Sequence, residues 1–298
     1  MTGENESATA VPKVQRPKVS GVITSFNEAH NIGDCIESLE WCDEIIVVDS
    51  FSTDETPKIA QSYEKVKFFQ RDYFGAGAQK NWAMQHVQYD WIFLLDSDER
   101  CTPQLREEVE KLLCENPAHD AYMINRNVYI LGNRIRYSGW QHDQVARLFR
   151  RGRAYYENRR VHSVLHTSGE TPVLDNAIEH YMVDRSFDDY AFRLAKYGFW
   201  NAAQCWRDGD RTNALEVFTR PIWRFLRTYV LQLGFLDGGL GVIFCLLQAY
   251  STYMKFAVLW GWQVNDARGI PPELPEFDED ESTWEGLKQL EENEQQDG

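Results

Sequence analysis

Along the first hundred positions, short runs of apolar residues alternate with stretches of helical spacing. Residues 18–24, 44–48, 66–69 and 91–95 are the apolar runs, and each ends in polar groups. Runs without polar alternation belong to strands covered on both faces, as in a parallel sheet. Between them, Ile32, Ile36 and Leu39 sit about one helical turn apart. Residues 50–56 form a Ser/Thr/Asp-rich turn suited to capping a helix near 57–63. The small-residue loop 75–81 opens a helix through Trp82, Met84 and Val87. This β-α-β-α-β-α-β order predicts an α/β fold: a right-handed, doubly wound, mostly parallel sheet with helices on both faces.

The pattern changes after residue 120. Residues 121–124 and 128–131 read as strands around a turn at Gly132-Asn133. Residues 148–150 and 164–166 read as further short strands. A helix over 187–206 carries Tyr190, Leu194, Tyr197 and Trp200 at helical spacing. From 214 to 262 the chain turns aromatic and apolar: Arg220, Arg224 and Arg227 share a helical face with interleaved Trp223, Leu226 and Tyr229. The stretch 240–262 approaches spanning length but contains Gln248, Ser251, Thr252 and Lys255. It predicts an amphipathic helical region lying on a membrane surface. Packing on the rest of the chain or on a partner copy, and a true span, are the other readings of the same segment.

These shifts divide the chain into a disordered N-terminus (1–17), an α/β domain (18–210, with halves 18–115 and 116–210), the amphipathic region (211–265) and an acidic tail (266–298) expected to be disordered. Much of the formal net charge of −15 lies in that tail, and no basic stripe crosses the sheet region, so a nucleic-acid partner is not expected. The six cysteines are scattered without a C-x-x-C pair, which excludes the usual zinc patterns and fits reduced thiols in a cytosolic compartment. Residues 1–16 lack the apolar core of a signal peptide.

Three strand ends deliver polar groups to one edge: 24–28, Asp49, and Asp96 with Asp98. Open α/β sheets bind ligands beyond the carboxyl ends of their strands. Two carboxylates flanking Ser97 suit a hard divalent cation, Mn²⁺ or Mg²⁺, which in turn holds substrate phosphates. Such a triplet also occurs as a solvated turn former.

Four motifs occur in order: Thr-Ser-Phe-Asn-Glu (24–28), Val-Val-Asp-Ser-Phe-Ser-Thr-Asp-Glu-Thr (47–56), Gly-Ala-Gln-Lys-Asn-Trp-Ala (77–83) and Leu-Leu-Asp-Ser-Asp-Glu (94–99). Together they resemble glycosyltransferase family 2, which has the GT-A nucleotide-sugar fold. The likeness is greatest to small bacterial enzymes related to lipopolysaccharide-core β-glucosyltransferases. The resemblance implies a donor site in which Asp49 meets the base, Thr24, Phe26 and Glu28 surround base and ribose, and Lys80 faces phosphate or sugar. It implies Asp98 as metal ligand, and Asp96 as a sugar contact or second ligand. The acceptor-side segment 139–152 offers Trp140 to stack on a sugar, Asp143 as general base with His142 as rival, and Arg150 for donor phosphates. His162 stands in Val-His-Ser where the family often has Val-His-Glu; it is assigned to the metal or diphosphate. From the residues alone, Asp49 also reads as a helix cap, Thr24 and Phe26 as strand-end packing, and Lys80 as a solvated lysine. Asp143 reads as a surface carboxylate paired with Arg147 one helical turn on, and Arg150 as part of a solvated turn. His166 and His180 are assigned packing or surface roles.

The expected activity is inverting transfer of a hexose from a nucleotide diphosphate sugar, a UDP-sugar first, to a saccharide or glycolipid acceptor. The enzyme is expected at the inner face of the cytoplasmic membrane. The missing Glu after His162 keeps open a non-catalytic scaffold or sugar-binding module. A processive synthase is disfavoured, since neither several spanning segments nor a Gln-x-x-Arg-Trp motif is present.

Overall fold

The four apolar runs fold as β1 (Val19–Ser25), β2 (Glu44–Asp49), β3 (Val66–Gln70) and β4 (Trp91–Asp96), connected by α1 (Ile32–Ser38), α2 (Thr56–Gln61) and α3 (Ala76–Gln85). The structure, a computed structural model, describes residues 16–157, 163–183 and 186–275. The N-terminal residues 1–15, His162 and most of the acidic tail, 276–298, lie outside the described residues. β1 pairs in parallel with β2 and with β4, and β2 with β3. All of β2 is buried, and so is β1 except Thr24. Ile23, Phe93 and Leu95 pack with Ile36 of α1 on one face, and Val22, Ile46 and Leu94 with Ala83 of α3 on the other. Coverage on both faces is why these runs carry no polar alternation.

The second half adds β5 (Glu99–Cys101), α4 (Pro103–Cys114), β6 (Ala121–Ile130), β7 (Asn133–Ile135), β8 (Gln144–Arg150), β9 (Ala154–Tyr156), β10 (Leu165–Thr167) and β11 (Val173–Val183). Thr102 caps α4 by accepting from Leu105 N at 3.2 Å, and Pro103 takes the first helical position. Among the described residues, the main sheet runs β3-β2-β1-β4-β8-β6-β11-β5, with β7 on β6 and β9 with β10 as a separate ribbon. β8 is antiparallel to both β4 and β6, β6 is parallel to β11, and β11 is antiparallel to β5. The sheet is therefore parallel through its first four strands and mixed beyond β4. The two strands expected over 121–131 are one continuous ten-residue strand that turns at Gly132 into β7.

Among the described residues, three α-helices follow, α5 (Phe187–Arg207), α6 (Ala214–Leu226) and α7 (Gly238–Asp266), with short π and 3-10 turns between the last two. α5 and α7 approach so closely that a Cβ on Gly198 would lie 2.6 Å from Met254 Cβ. Residues 234–266 are long and apolar enough to cross a membrane, and only 28% of their most apolar 18-residue window is buried. Leu215, Phe218, Ile222, Trp223, Leu231 and Leu236 are exposed around the α6–α7 turn. The arginines expected along one face divide. Arg220 pairs with Glu216 at 2.8 Å, whereas Arg224 turns inward and donates to Gln248 Oε1 at 2.7 Å.

Candidate active site

The register of β1 on β4 sets Thr24 beside Asp96 at the carboxyl ends of both strands. Thr24 Oγ1 donates to Asp96 Oδ1 at 3.1 Å, Lys80 Nζ lies 2.9 Å from the same oxygen, and Arg147 Nη2 lies 2.5 Å from Oδ2. Lys80 comes from the second turn of α3, and its side chain is only 11% exposed, so the solvated-lysine reading is excluded. Arg147 also donates to Glu99 Oε1 at 2.8 Å, and the fully buried Glu99 accepts from Asp96 N at 3.0 Å. Arg126 Nη1 lies 3.3 Å from Glu99 and grips both oxygens of Asp143, at 2.6 and 2.9 Å. Alternating charges thus run without a break from Lys80 through Asp96, Arg147, Glu99 and Arg126 to Asp143.

This alternation sets the electrostatics. Burial pushes the Asp96 carboxyl up, but Arg147 and Lys80 outweigh it and hold the group well below the usual carboxylate range. Burial lowers Lys80 from the ordinary lysine value against the attraction of Asp96. Arg147 is raised well above its usual value, since Asp96 and Glu99 overcome its own burial. An arginine in such a place stays charged, and its Nη2 bridges the Asp96 and Glu99 carboxylates.

Asp98 faces a different group. Its carbonyl accepts from Tyr181 N on β11 at 2.9 Å, and its carboxylate lies 3.5 Å from His180 Nε2. Burial raises Asp98, and His180 more than reverses this, leaving it below the usual value. His180 Nδ1 is buried without a hydrogen-bond partner. Glu28 is pushed up to about 7, by burial first and then by the Asp98 charge, against Asn31, Arg193 and Arg100. Among the described residues, no three His, Cys, Asp or Glu side chains already form a metal cage.

The remaining expected residues are placed as follows. Asp49 is fully buried; it accepts from Ser25 Oγ at 3.1 Å, Ser52 Oγ at 2.5 Å and Ser52 N at 2.7 Å, and so holds its own turn closed. Phe26 is 51% exposed beside the β1 end. Trp140 packs on Phe244 at 5.9 Å between ring centroids and, with Asp143, lines a cavity of about 510 Å³. His142 is exposed and outside that lining.

Two readings are corrected. Arg150 stands opposite Trp91, at the amino end of β4, because β8 is antiparallel to it. Its guanidinium faces Asp120 at 3.4 Å and the Trp91 ring at 4.9 Å, a strand length from Asp96, so the donor-phosphate role is withdrawn. The pairing of Asp143 with Arg147 is also wrong. Residues 144–150 are strand, not helix, so Arg147 points into the carboxylate cluster and Arg126 takes its place.

Sequence reading missed Glu99, Arg126, Arg147 and His180 as site residues. Glu99 lay inside the fourth motif, directly after Asp98. His180 and Arg126 come from strands distant in sequence, and no local pattern marks them.

A family model described as "Glycosyl transferase family 2" matches residues 20–172. The chain is 29% identical over 270 residues to the lipopolysaccharide core biosynthesis glycosyltransferase LpsC of Rhizobium meliloti, covering 86% of this chain and 98% of that protein. It is 26% identical over 255 residues to an uncharacterized glycosyltransferase of Rickettsia felis, covering 81% of this chain and 89% of that protein. Among solved structures, S. aureus TarS 1-349 in complex with UDP-GlcNAc aligns over 85% of this chain and 92% of that chain, with a TM-score of 0.42 and 13% identity. The family match spans more than half the chain and contains Thr24, Asp49, Lys80, Asp96, Asp98, Glu99, Arg126, Asp143 and Arg147, and on that ground the chain belongs to glycosyltransferase family 2.

Proposed function

We propose that the protein moves a hexose from a nucleotide diphosphate sugar, a UDP-sugar first, to a lipid-linked or lipopolysaccharide-core-type saccharide, with inversion to a β-glycoside. The name of the Rhizobium meliloti relative supports the acceptor class. The observation that carries the reading is the unbroken ion-pair chain from Lys80 and Asp96 on the donor side to Asp143 at the mouth of a cavity.

In this reading Asp98 and His180 would hold a divalent cation, Mn²⁺ or Mg²⁺, which would supply charge neutralisation for the leaving diphosphate. The residues fit such an ion. Glu28 is pushed up to about 7 by burial first and by the neighbouring Asp98 charge second, and a cation there would relieve the second of these. Lys80 and Arg147 fix the Asp96 carboxylate against the donor sugar or ribose, with Thr24 beneath it. Asp49, Phe26 and Glu28 border the base and ribose. Asp143 takes the proton from the attacking acceptor hydroxyl while Arg126 holds the carboxylate in one orientation. Trp140 offers an apolar wall to the acceptor sugar. The exposed apolar residues of the α6–α7 turn rest on the cytoplasmic face of the membrane, where lipid-linked acceptors are presented.

The test is a donor panel of UDP-, GDP- and dTDP-sugars, titrated with Mn²⁺ or EDTA into wild type, Asp98→Ala and Asp143→Asn. Binding of one donor that depends on metal and is lost in Asp98→Ala is expected. Asp143→Asn is expected to bind that donor and lose turnover, by about 100-fold or more. A folded protein that binds no nucleotide sugar would end the transferase reading in favour of a scaffold.

A further inference from the structure

We propose that the cavity beside Asp143 receives an acceptor saccharide bearing an anionic substituent, a carboxylate or a phosphate. This rests on the transferase reading and gives the acceptor of that site its charge. The cavity, about 510 Å³, lies within the range of small-ligand sites. Arg134 of β7 and Arg136, the residue just past its end, flank Ile135; both line the cavity, while Ile135 enters the core at 4% exposure. Arg134 donates only to the neutral Asn127 amide. Arg136 makes no side-chain hydrogen bond, and neither arginine is ion-paired among the described residues. By contrast Arg126, the third arginine of the lining, is already paired with Asp143 and Glu99. The cavity therefore presents two guanidinium groups that no carboxylate pairs, Arg134 keeping one amide contact, and among the described residues its lining holds two carboxylates, Asp143 and Asp175. This occurs in a chain of formal net charge −15, so general basicity does not account for it. Planar guanidinium forks match carboxylate and phosphate oxygens. The Trp140 ring supplies the apolar face that a sugar needs.

The basic wall is also held in place. Asp237 accepts from Arg136 N and Tyr137 N at 3.0 Å each and from Ser138 Oγ at 2.9 Å. Gln248 Nε2 of α7 donates to Ser138 O at 3.2 Å. The loop that carries Arg136 and Trp140 is thus fastened to the apolar turn between α6 and α7, which lowers the ordering cost of binding.

Calorimetric titration at low salt tests the proposal. The probes are methyl glucoside, methyl glucuronoside, glucose 6-phosphate and inorganic phosphate, each with and without UDP. The anionic sugars are expected to bind about ten-fold tighter than methyl glucoside, with an advantage that shrinks as salt is added. That advantage is expected to vanish in Arg134→Gln/Arg136→Gln, whose folding is checked by thermal melting. Whichever anionic sugar binds better names the substituent. Equal binding of neutral and charged sugars, or a preference that survives in the double variant, overturns the proposal. Inorganic phosphate matching glucose 6-phosphate overturns its saccharide part. If UDP and Mn²⁺ fail to bind wild type, the transferase reading falls, whereas UDP binding without anion preference overturns this inference alone.

Discussion

Replacing Arg147 by Met keeps the aliphatic stem and removes the charge from the centre of the site. In the native protein its side chain is 3% exposed and touches two carboxylates, Asp96 at 2.5 Å and Glu99 at 2.8 Å. Glu99 is wholly buried, and without Arg147 its charge keeps only Arg126 at 3.3 Å and the Asp96 N–H. Removing one partner from such a buried group costs about 3–5 kcal/mol, because the other charge is left uncompensated. That is a large share of a typical stability of about 5–15 kcal/mol. Urea unfolding at pH 7, followed by far-UV circular dichroism, measures the loss. Arg147→Met/Glu99→Gln is expected to be less destabilised than the two single losses added together, since the second change removes the orphaned charge. The pH dependence follows from Asp96. Its folded value lies below the usual 3.8, so its contribution is fully present above about pH 4 and is lost as pH falls through the folded value. Arg147→Met is expected to flatten that acid limb. A cost under about 1 kcal/mol, the range of an exposed pair, would refute the reasoning.

Glu28, pushed up to about 7 from its usual 4.5, keeps its proton in the folded state while the unfolded chain has lost it, so its contribution to stability declines as pH rises between those values. Glu28→Gln is expected to raise Tm at pH 8 relative to pH 5, and an unchanged Tm difference between the two pH values would contradict the assignment. Gly198→Ala sets a methyl 2.6 Å from Met254 Cβ and is expected to cost about 1–3 kcal/mol in urea unfolding; a neutral result would mean that α5 and α7 separate easily. Asp237→Ala removes three hydrogen bonds to the 136–138 backbone and hydroxyl and is expected to raise the acceptor KM more than the donor KM, with equal changes in both counting against the positioning role. Phe218→Ser/Trp223→Ser/Leu231→Ser is expected to abolish co-flotation with anionic lipid vesicles, and undiminished flotation would remove the membrane from the proposed function.

The elements of the donor half were legible because their cause is local. Continuous apolar runs such as 91–95 need cover on both faces, and the helices between them show their own spacing. Thr24 and Asp96 were legible at one edge for the same reason, since strand ends locate them, whereas Lys80 by itself read as a solvated lysine and entered the site through the family resemblance. The mixed half was less so. Residues 121–131 carry polar Asn125, Arg126 and Asn127 in the middle of a strand, which reads as a break, yet all three are half-buried and border the cavity. Likewise residues 144–147 were read at helical spacing from Asp143, and the inward turn of Arg147 was not legible, because a buried arginine is intelligible only once its carboxylates are in place.

The sequence by itself determined the parallel α/β start, the clustering of carboxylates at the strand ends and the apolar character of the last helices, since each follows from periodicity and from neighbours in the chain. The tertiary structure alone decided who pairs with whom. The antiparallel return of β8 sends Arg150 to the far end of the sheet and Arg147 to Asp96. The β11–β5 register brings His180 to Asp98, and Arg126 rather than Arg147 holds Asp143. Strand order and register join residues tens of positions apart, and a charge takes its partner from whatever that joining places within a few ångströms.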